Sequence, residues 1–248
     1  EGDEDSSDVK SVCGDYPAVM SFDLGHIELE REKSLDNVPF RKIRQETINQ
    51  YKRGGVVSFS WHLDNPLTGK DAWDVSDTTV VASILPGGVH HAKFISWLDA
   101  VAAFMNTLET EEGTKIPVIF RPWHEHTGSW FWWGQNLCTA DQYKALWRMT
   151  HDRMHARGVK NLLYAYSPGS EPKDSTAYLE RYPGDDIIDL VGFDTYQFDR
   201  TQYMEQLDKS LAILTEVGKA HDKPIAITET GFEAIPDSVW WTQTLYPV

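Results

Sequence analysis

The stretch Ile116-Pro-Val-Ile-Phe-Arg-Pro-Trp-His-Glu125 decides the fold. A short apolar run rich in β-branched residues reads as a buried strand, and this one gives way to arginine, histidine and glutamate at its C-terminal end. Similar runs occur at 18–22, 55–61, 161–166, 187–193 and 224–228, making six strands with the one at 116–123. The segments 38–53, 91–109, 141–157 and 201–221 carry apolar residues at three- and four-residue spacing with charges opposite, as covering helices do. Gly54 and Gly158 each follow an arginine where a helix should stop, because glycine tolerates the left-handed position there. Strands alternating with helices predict an α/β fold with a parallel sheet. With no internal repeat, low-complexity tract or linker, residues 1–248 read as a single domain.

Composition narrows the function. No window approaches the ~20 consecutive apolar residues of a membrane-spanning helix. The formal net charge is -15 and the basic residues are scattered, which argues against a nucleic-acid partner. Ten Trp, ten Tyr and ten Phe are many for this length, and several crowd together after Phe120, where flat rings either fill a core or stack on flat ligands. Cys13 and Cys138 form no CxxC pair; they read as two unpaired buried thiols, with one disulfide as the alternative. The opening EGDEDSSD is polar and loop-like, without the apolar stretch of a signal peptide.

Polar and aromatic residues gather at the C-terminal ends of the runs: Asp23, then Trp61 and His62, then Arg121 to Glu125, Ser167, Asp194 with Tyr196, and Glu229. Parallel α/β enzymes hold their sites at that end. Most carboxylates of this chain are expected to be solvated surface charges. Glu125 and Glu229 differ because each ends an apolar strand, where a charge is partly desolvated and needs a partner or a purpose. Two such carboxylates facing one pocket suit glycoside hydrolysis, in which one donates a proton and the other attacks the sugar carbon. Six strands, however, are too few to close an eight-stranded barrel. Either the first and last strands lie outside this sequence, or the sheet is open and doubly wound.

The segment Arg121-Pro-Trp-His-Glu-His-Thr-Gly-Ser-Trp-Phe-Trp-Trp-Gly134 resembles the acid/base motif of glycoside hydrolase family 26. Ile227-Thr-Glu-Thr-Gly231 resembles the nucleophile strand of that family, and Ser60-Trp-His-Leu-Asp-Asn-Pro66 and Gly192-Phe-Asp-Thr-Tyr196 resemble two further strand ends. The resemblance runs over nearly the whole chain. It implies a (β/α)8 TIM barrel whose first and eighth strands are missing from this sequence, so that the natural protein extends at both ends. It also implies a retaining endo-β-1,4-mannanase acting on mannan, galactomannan or glucomannan without a cofactor, with β-1,3-1,4-glucan or β-xylan as alternative substrates.

By motif position, Glu125 is the acid/base and Glu229 the nucleophile, held by Tyr196. Trp61, His62, Arg121, His124, Trp130 and Asp194 are the further substrate-binding candidates. A zinc site built from His62, His124, His126 and a carboxylate is the competing reading, but the spacing is not that of a metalloprotease helix, so no metal is expected. A non-catalytic sugar-binding module is a third. The resemblance also implies a monomer that is secreted, periplasmic or on the cell surface. Three geometric expectations follow: the carboxyl groups of Glu125 and Glu229 about 5 to 5.5 Å apart; Trp61, Trp130 and Tyr196 along an open cleft; and Glu1 and Val248 beside one open seam.

Overall fold

The structure is a computed structural model that describes residues 7–247. Six strands form one sheet in chain order: β1 (Val19–Asp23), β2 (Val56–Ser60), β3 (Val118–Arg121), β4 (Leu162–Tyr166), β5 (Leu190–Gln197) and β6 (Ile225–Phe232). Every neighbouring pair is parallel. Between successive strands the chain makes helices α2 (Phe40–Lys52), α3 (Val80–Ile84) with α4 (His91–Asn106), α5 (Ala140–Ala156), α6 (Ser175–Leu179) and α7 (Arg200–His221). A short α1 (Asp8–Cys13) precedes β1, so the opening is not all loop.

The helix boundaries have local causes. Helix α5 starts on a capping box, with Thr139 accepting from the Gln142 amide while the Gln142 side chain returns to the Thr139 amide. Asp199 caps α7 in the same sense, accepting from the Gln202 amide. Gly54 and Gly158 sit at φ of 82° and 77° just past α2 and α5, where a Cβ would be strained.

The pleat sorts side chains between two layers. On β2, Val57 and Phe59 face the helices, and Phe59 meets Phe104 of α4 edge-on. Ser58 and Ser60 face the other side, where Ser60 donates to Asp23. Most of the buried apolar residues join one cluster.

On the other side the sheet curls. Strands three apart in a flat sheet are separated by ~14 Å, yet Arg121 on β3 donates to Asp194 on β5 and to Glu229 on β6. Only a curved sheet brings those side chains to one point. Among the described residues β1 and β6 pair on one side only, and both carry exposed apolar side chains, Val19 and Ile225. Glu1 and Val248, expected at a common seam, lie outside the described residues. Both cysteines are free, but Cys13 is exposed and only Cys138 is buried, which corrects half of that expectation.

Candidate active site

Two local departures from regular structure place the two glutamates. Glu229 lies inside β6, not at its end. Ile225 faces α7, with its Cγ2 against Gly218, so strict alternation would send Ile227 and Glu229 the same way, into the helix layer. The register between β5 and β6 skips at this point: Phe193 pairs with Ile227 and Asp194 with Glu229, leaving Thr228 as an extra residue. This β-bulge turns Glu229 to the concave side and lets Thr228 donate to Asp194 Oδ1 at 2.6 Å.

Glu125 is placed by a loop. Strand β3 stops at Arg121, and Trp123, Glu125 and Ser129 all have φ between 52° and 59°. Each left-handed non-glycine residue costs on the order of 1 kcal/mol, so the surroundings must hold it. Tyr143 Oη donates to the Trp123 carbonyl at 2.6 Å, Trp133 Nε1 to the His124 carbonyl at 2.8 Å, and the Glu125 amide to the Ser167 carbonyl at 2.9 Å.

Strand alternation from Arg121 would turn Trp123 and Glu125 to the mouth, and Trp123 departs from it. Instead of facing the mouth beside Arg121 and Glu125, it is buried among Trp61, Phe94, Trp132 and Trp133 and donates to Thr150 on α5 at 3.3 Å.

The carboxylates converge. One oxygen each of Glu125, Asp194 and Glu229 lies within 4.8 Å of the others. Buried Arg121 supplies the matching cation, donating to Asp194 Oδ2 at 2.7 Å, to Ser167 Oγ at 3.0 Å and to Glu229 Oε1. Tyr196 Oη donates to the other Glu229 oxygen at 2.6 Å. Both Glu229 oxygens thus face donors, the setting of an ionised carboxylate.

Glu125 is treated differently: it receives Trp130 Nε1 at 2.8 Å, and burial, helped by the charge of Glu229, pushes its pKa up to about 7. The two carboxyl groups thus sit in unlike settings, one buried with a raised pKa and one bonded by two donors.

Of the remaining candidates, His62 and His124 meet Nε2 to Nε2 at 3.0 Å beside this centre, and Trp130 and Tyr196 are partly exposed at its rim. Trp61 is not in the cleft. It has the parity of Val57 and Phe59, is fully buried against Phe94, Phe120 and Trp123, and donates to buried Glu28 at 3.1 Å. His126 is buried apart from the other two histidines, its ring 4.4 Å from that of Tyr143 and 5.5 Å from that of Tyr166, so the three do not converge on a zinc position.

Other residues were not read from the sequence. Trp73, on a loop with no periodic signal, is half-exposed and stacks on His62 at 5.3 Å and 9°. A cavity of about 380 Å³ beside it touches Asp23, Leu35, Asp36 and His62. On the β5 and α7 side, a cavity of about 550 Å³ touches Glu125, Trp130, Tyr196, Phe198, Glu171 and Gln202.

A parallel α/β sheet that brings carboxyl groups together in an aromatic-rimmed cleft is an arrangement suited to glycoside hydrolysis. The sequence pattern of Glycosyl hydrolase family 26 matches residues 2–240, and the chain belongs to that family.

Among relatives, a mannan endo-1,4-beta-mannosidase of Bifidobacterium adolescentis is 39% identical over 236 residues, covering 90% of this chain and 23% of the relative. Another of that name from Thermothelomyces thermophilus is 29% identical, covering 92% of this chain and 46% of the relative. The chain thus spans between about a quarter and about half the length of these curated relatives. A solved GH26 beta-mannanase from Bacteroides ovatus superposes with a TM-score of 0.99 at 63% identity, covering all of this chain and 72% of that one. A Cellulomonas fimi endo-beta-1,4-mannanase gives 0.84 at 34% identity, covering 92% of this chain and 52% of that one.

Proposed function

We propose that the chain is the catalytic domain of a retaining endo-β-1,4-mannanase that cleaves internal β-1,4-mannosidic bonds of mannan, galactomannan or glucomannan. The observation that carries the reading is the asymmetry of the pair: Glu125 has a pKa near 7, while Glu229 receives donors on both oxygens within reach of the same point. In the first step Glu125 gives its proton to the glycosidic oxygen as that bond breaks, and Glu229 forms a bond to the anomeric carbon. In the second, Glu125 takes a proton from a water whose oxygen displaces Glu229, restoring both groups and the original anomeric configuration. The closeness of the two carboxyl groups supports direct attack, since an intervening water would need ~6.5–9.5 Å. Acid and nucleophile both come from side chains, so the cycle needs no cofactor or metal.

The two cavities, one over β1 and β2 and one over β5 and α7, support endo action because a chain can leave the centre on both sides. The cavity that touches Glu125 takes the leaving group, with exposed Phe198 and Trp130 as stacking surfaces. We read the six strands as part of a (β/α)8 barrel, a view that the curl of the sheet and the Bacteroides ovatus match support. The substrate assignment rests on the relatives' names. A polymer of this size is met outside the cytoplasm, so a monomer that is secreted, periplasmic or on the cell surface fits the role. No helix among the described residues is long and apolar enough to cross a membrane.

The test is hydrolysis of mannan, lichenan and xylan side by side, with product lengths followed in time. Fast loss of mannan viscosity with a spread of oligosaccharides is expected. Preference for lichenan or xylan overturns the substrate, and release of a single short product from the start overturns endo action.

A further inference from the structure

We propose that Asp23, at the end of β1, is a positioning residue that fixes the tautomer and the ring orientation of the His62–His124 pair beside the carboxylates. Nothing in the glutamate chemistry above uses Asp23, yet it is buried and fully engaged. Its Oδ1 accepts from the Gly25 amide at 2.6 Å, its Oδ2 from Ser60 Oγ at 2.7 Å, and the His62 amide lies 3.2 Å from both oxygens. The remaining contact is His62 Nδ1 at 2.7 Å from Oδ2. A carboxylate surrounded by donors can only accept, so His62 must carry its proton on Nδ1.

The consequence passes along the pair. Against burial, the hydrogen bond and charge of Asp23 raise the His62 pKa, so the tautomer is defined above that midpoint. There the neutral ring with Nδ1–H has a bare Nε2, and that atom faces His124 Nε2 at 3.0 Å. Two bare nitrogens would repel, so His124 must carry its proton on Nε2 and donate it to His62. Its own Nδ1, buried and without a partner, is then left bare. Burial, together with the neighbouring charge of Arg121, holds the His124 pKa well below the ordinary histidine value, in keeping with a neutral ring.

The result is a directed chain of two hydrogen bonds, from His124 to His62 to Asp23, with the two histidines in opposite tautomers. The groups whose charges reach His62 are Asp23 on β1, Arg121 on β3 and Glu229 on β6, and the carboxyl of Asp36 senses Asp23 and His62 in turn. Ring geometry is fixed from the sides as well: Trp73 stacks on His62, Phe131 meets it edge-on at 5.0 Å, and the His124 ring stands at 83° to it.

The pair matters because His124 immediately precedes Glu125. Reversing the His62 tautomer would set two N–H groups against each other at Nε2, and the strain would fall on the peptide that carries the acid/base. Asp23 thus acts on the reaction through His62 and His124, without touching the reacting atoms.

The test has two arms. In the unmutated chain, ¹⁵N NMR of the histidine rings above the His62 titration midpoint is expected to show neutral His62 protonated on Nδ1 and His124 on Nε2. Finding His62 protonated on Nε2 overturns the proposal and needs no variant. The kinetic arm rests on the mannanase reading. Asp23→Asn is expected to lower kcat/KM on manno-oligosaccharides roughly 10-fold to 100-fold, the equivalent of one charge-assisted hydrogen bond, mainly through kcat.

The same substitution is expected to lower the His62 pKa, since a neutral amide no longer favours the imidazolium. In a His62→Ala background it should cost less than about 2-fold further, because residues acting as one unit are not additive. A lower Tm with unchanged kcat/KM and an unmoved His62 titration, or full additivity with His62→Ala, makes Asp23 merely structural and overturns the proposal. If the parent chain leaves manno-oligosaccharides intact, the mannanase reading has failed and the NMR arm decides the fate of Asp23 alone.

Discussion

Replacing Glu229 by Gln isolates the charge that helps hold the proton on Glu125. The nearest oxygens of the two groups lie within 4.8 Å; at that limit and an effective dielectric constant of about 20, two unit charges repel by ~3.5 kcal/mol, which by itself would raise a carboxyl pKa by about 2.5. The whole rise of Glu125, from 4.5 to about 7, is no larger than that, and burial contributes more of it than Glu229 does. The hydrogen bond from Trp130 and the charge of Arg121, which is bonded to Glu229, therefore offset much of the repulsion at the position of Glu125.

The sign is fixed: a negative neighbour favours the neutral acid, so removing it lets Glu125 ionise at lower pH. Glu229→Gln should lower the Glu125 midpoint by about one pH unit and leave it above the ordinary value because burial persists. Titrating ¹³C-carboxyl-labelled glutamates by NMR, with the Glu125 signal assigned by its loss in Glu125→Gln, measures this directly. An unchanged or higher midpoint would refute the idea that Glu229 is the charged partner.

Further expectations rest on the same geometry. In the parent chain, activity should decline as pH rises through about 7, where Glu125 loses its proton. Glu125→Ala should cost about 10²- to 10⁴-fold on mannan but spare aryl glycosides whose leaving group needs no protonation; equal losses on both would contradict an acid role. Trp61→Ala should lower stability by ~3–5 kcal/mol in denaturant titrations while KM holds, as befits a core residue; a raised KM at unchanged stability would return Trp61 to the cleft. Phe198→Ala should leave stability within experimental error because the ring is 90% exposed. It should raise KM for mannan roughly 2- to 10-fold, and an unchanged KM would remove Phe198 from the leaving-group side.

The apolar runs made the sheet legible, because a parallel strand covered by helices on one face leaves few polar residues between its ends. Every strand was recognisable to within a few residues, and the four long helices followed from their periodicity. Short α3 and α6, at five residues each, offer too little period to detect.

The functional ends were legible as positions but not always as directions. Trp61 and His62 are neighbours of opposite parity, and the apolar Val57 and Phe59 already indicated which of the two would turn to the helices. The bulge at Thr228 had no such signal: nothing in Ile-Ala-Ile-Thr-Glu announces an extra residue, yet without it Glu229 would face α7. The left-handed turns at Trp123 and Glu125 were equally hidden, since they are imposed by tertiary bonds from Tyr143, Trp133 and Ser167 and not by glycines.

The central claim is that Glu229 bonds to the sugar. A 2-fluoro manno-oligosaccharide carrying an activated leaving group should be cleaved once and leave a stable glycosyl-enzyme, because the fluorine slows the second step. Peptide mapping by mass spectrometry should then find one added sugar on the peptide bearing Glu229, and none in Glu229→Gln. A label on Glu125 or Asp194, or turnover of manno-oligosaccharides with inverted anomeric configuration and no label at all, would contradict the account.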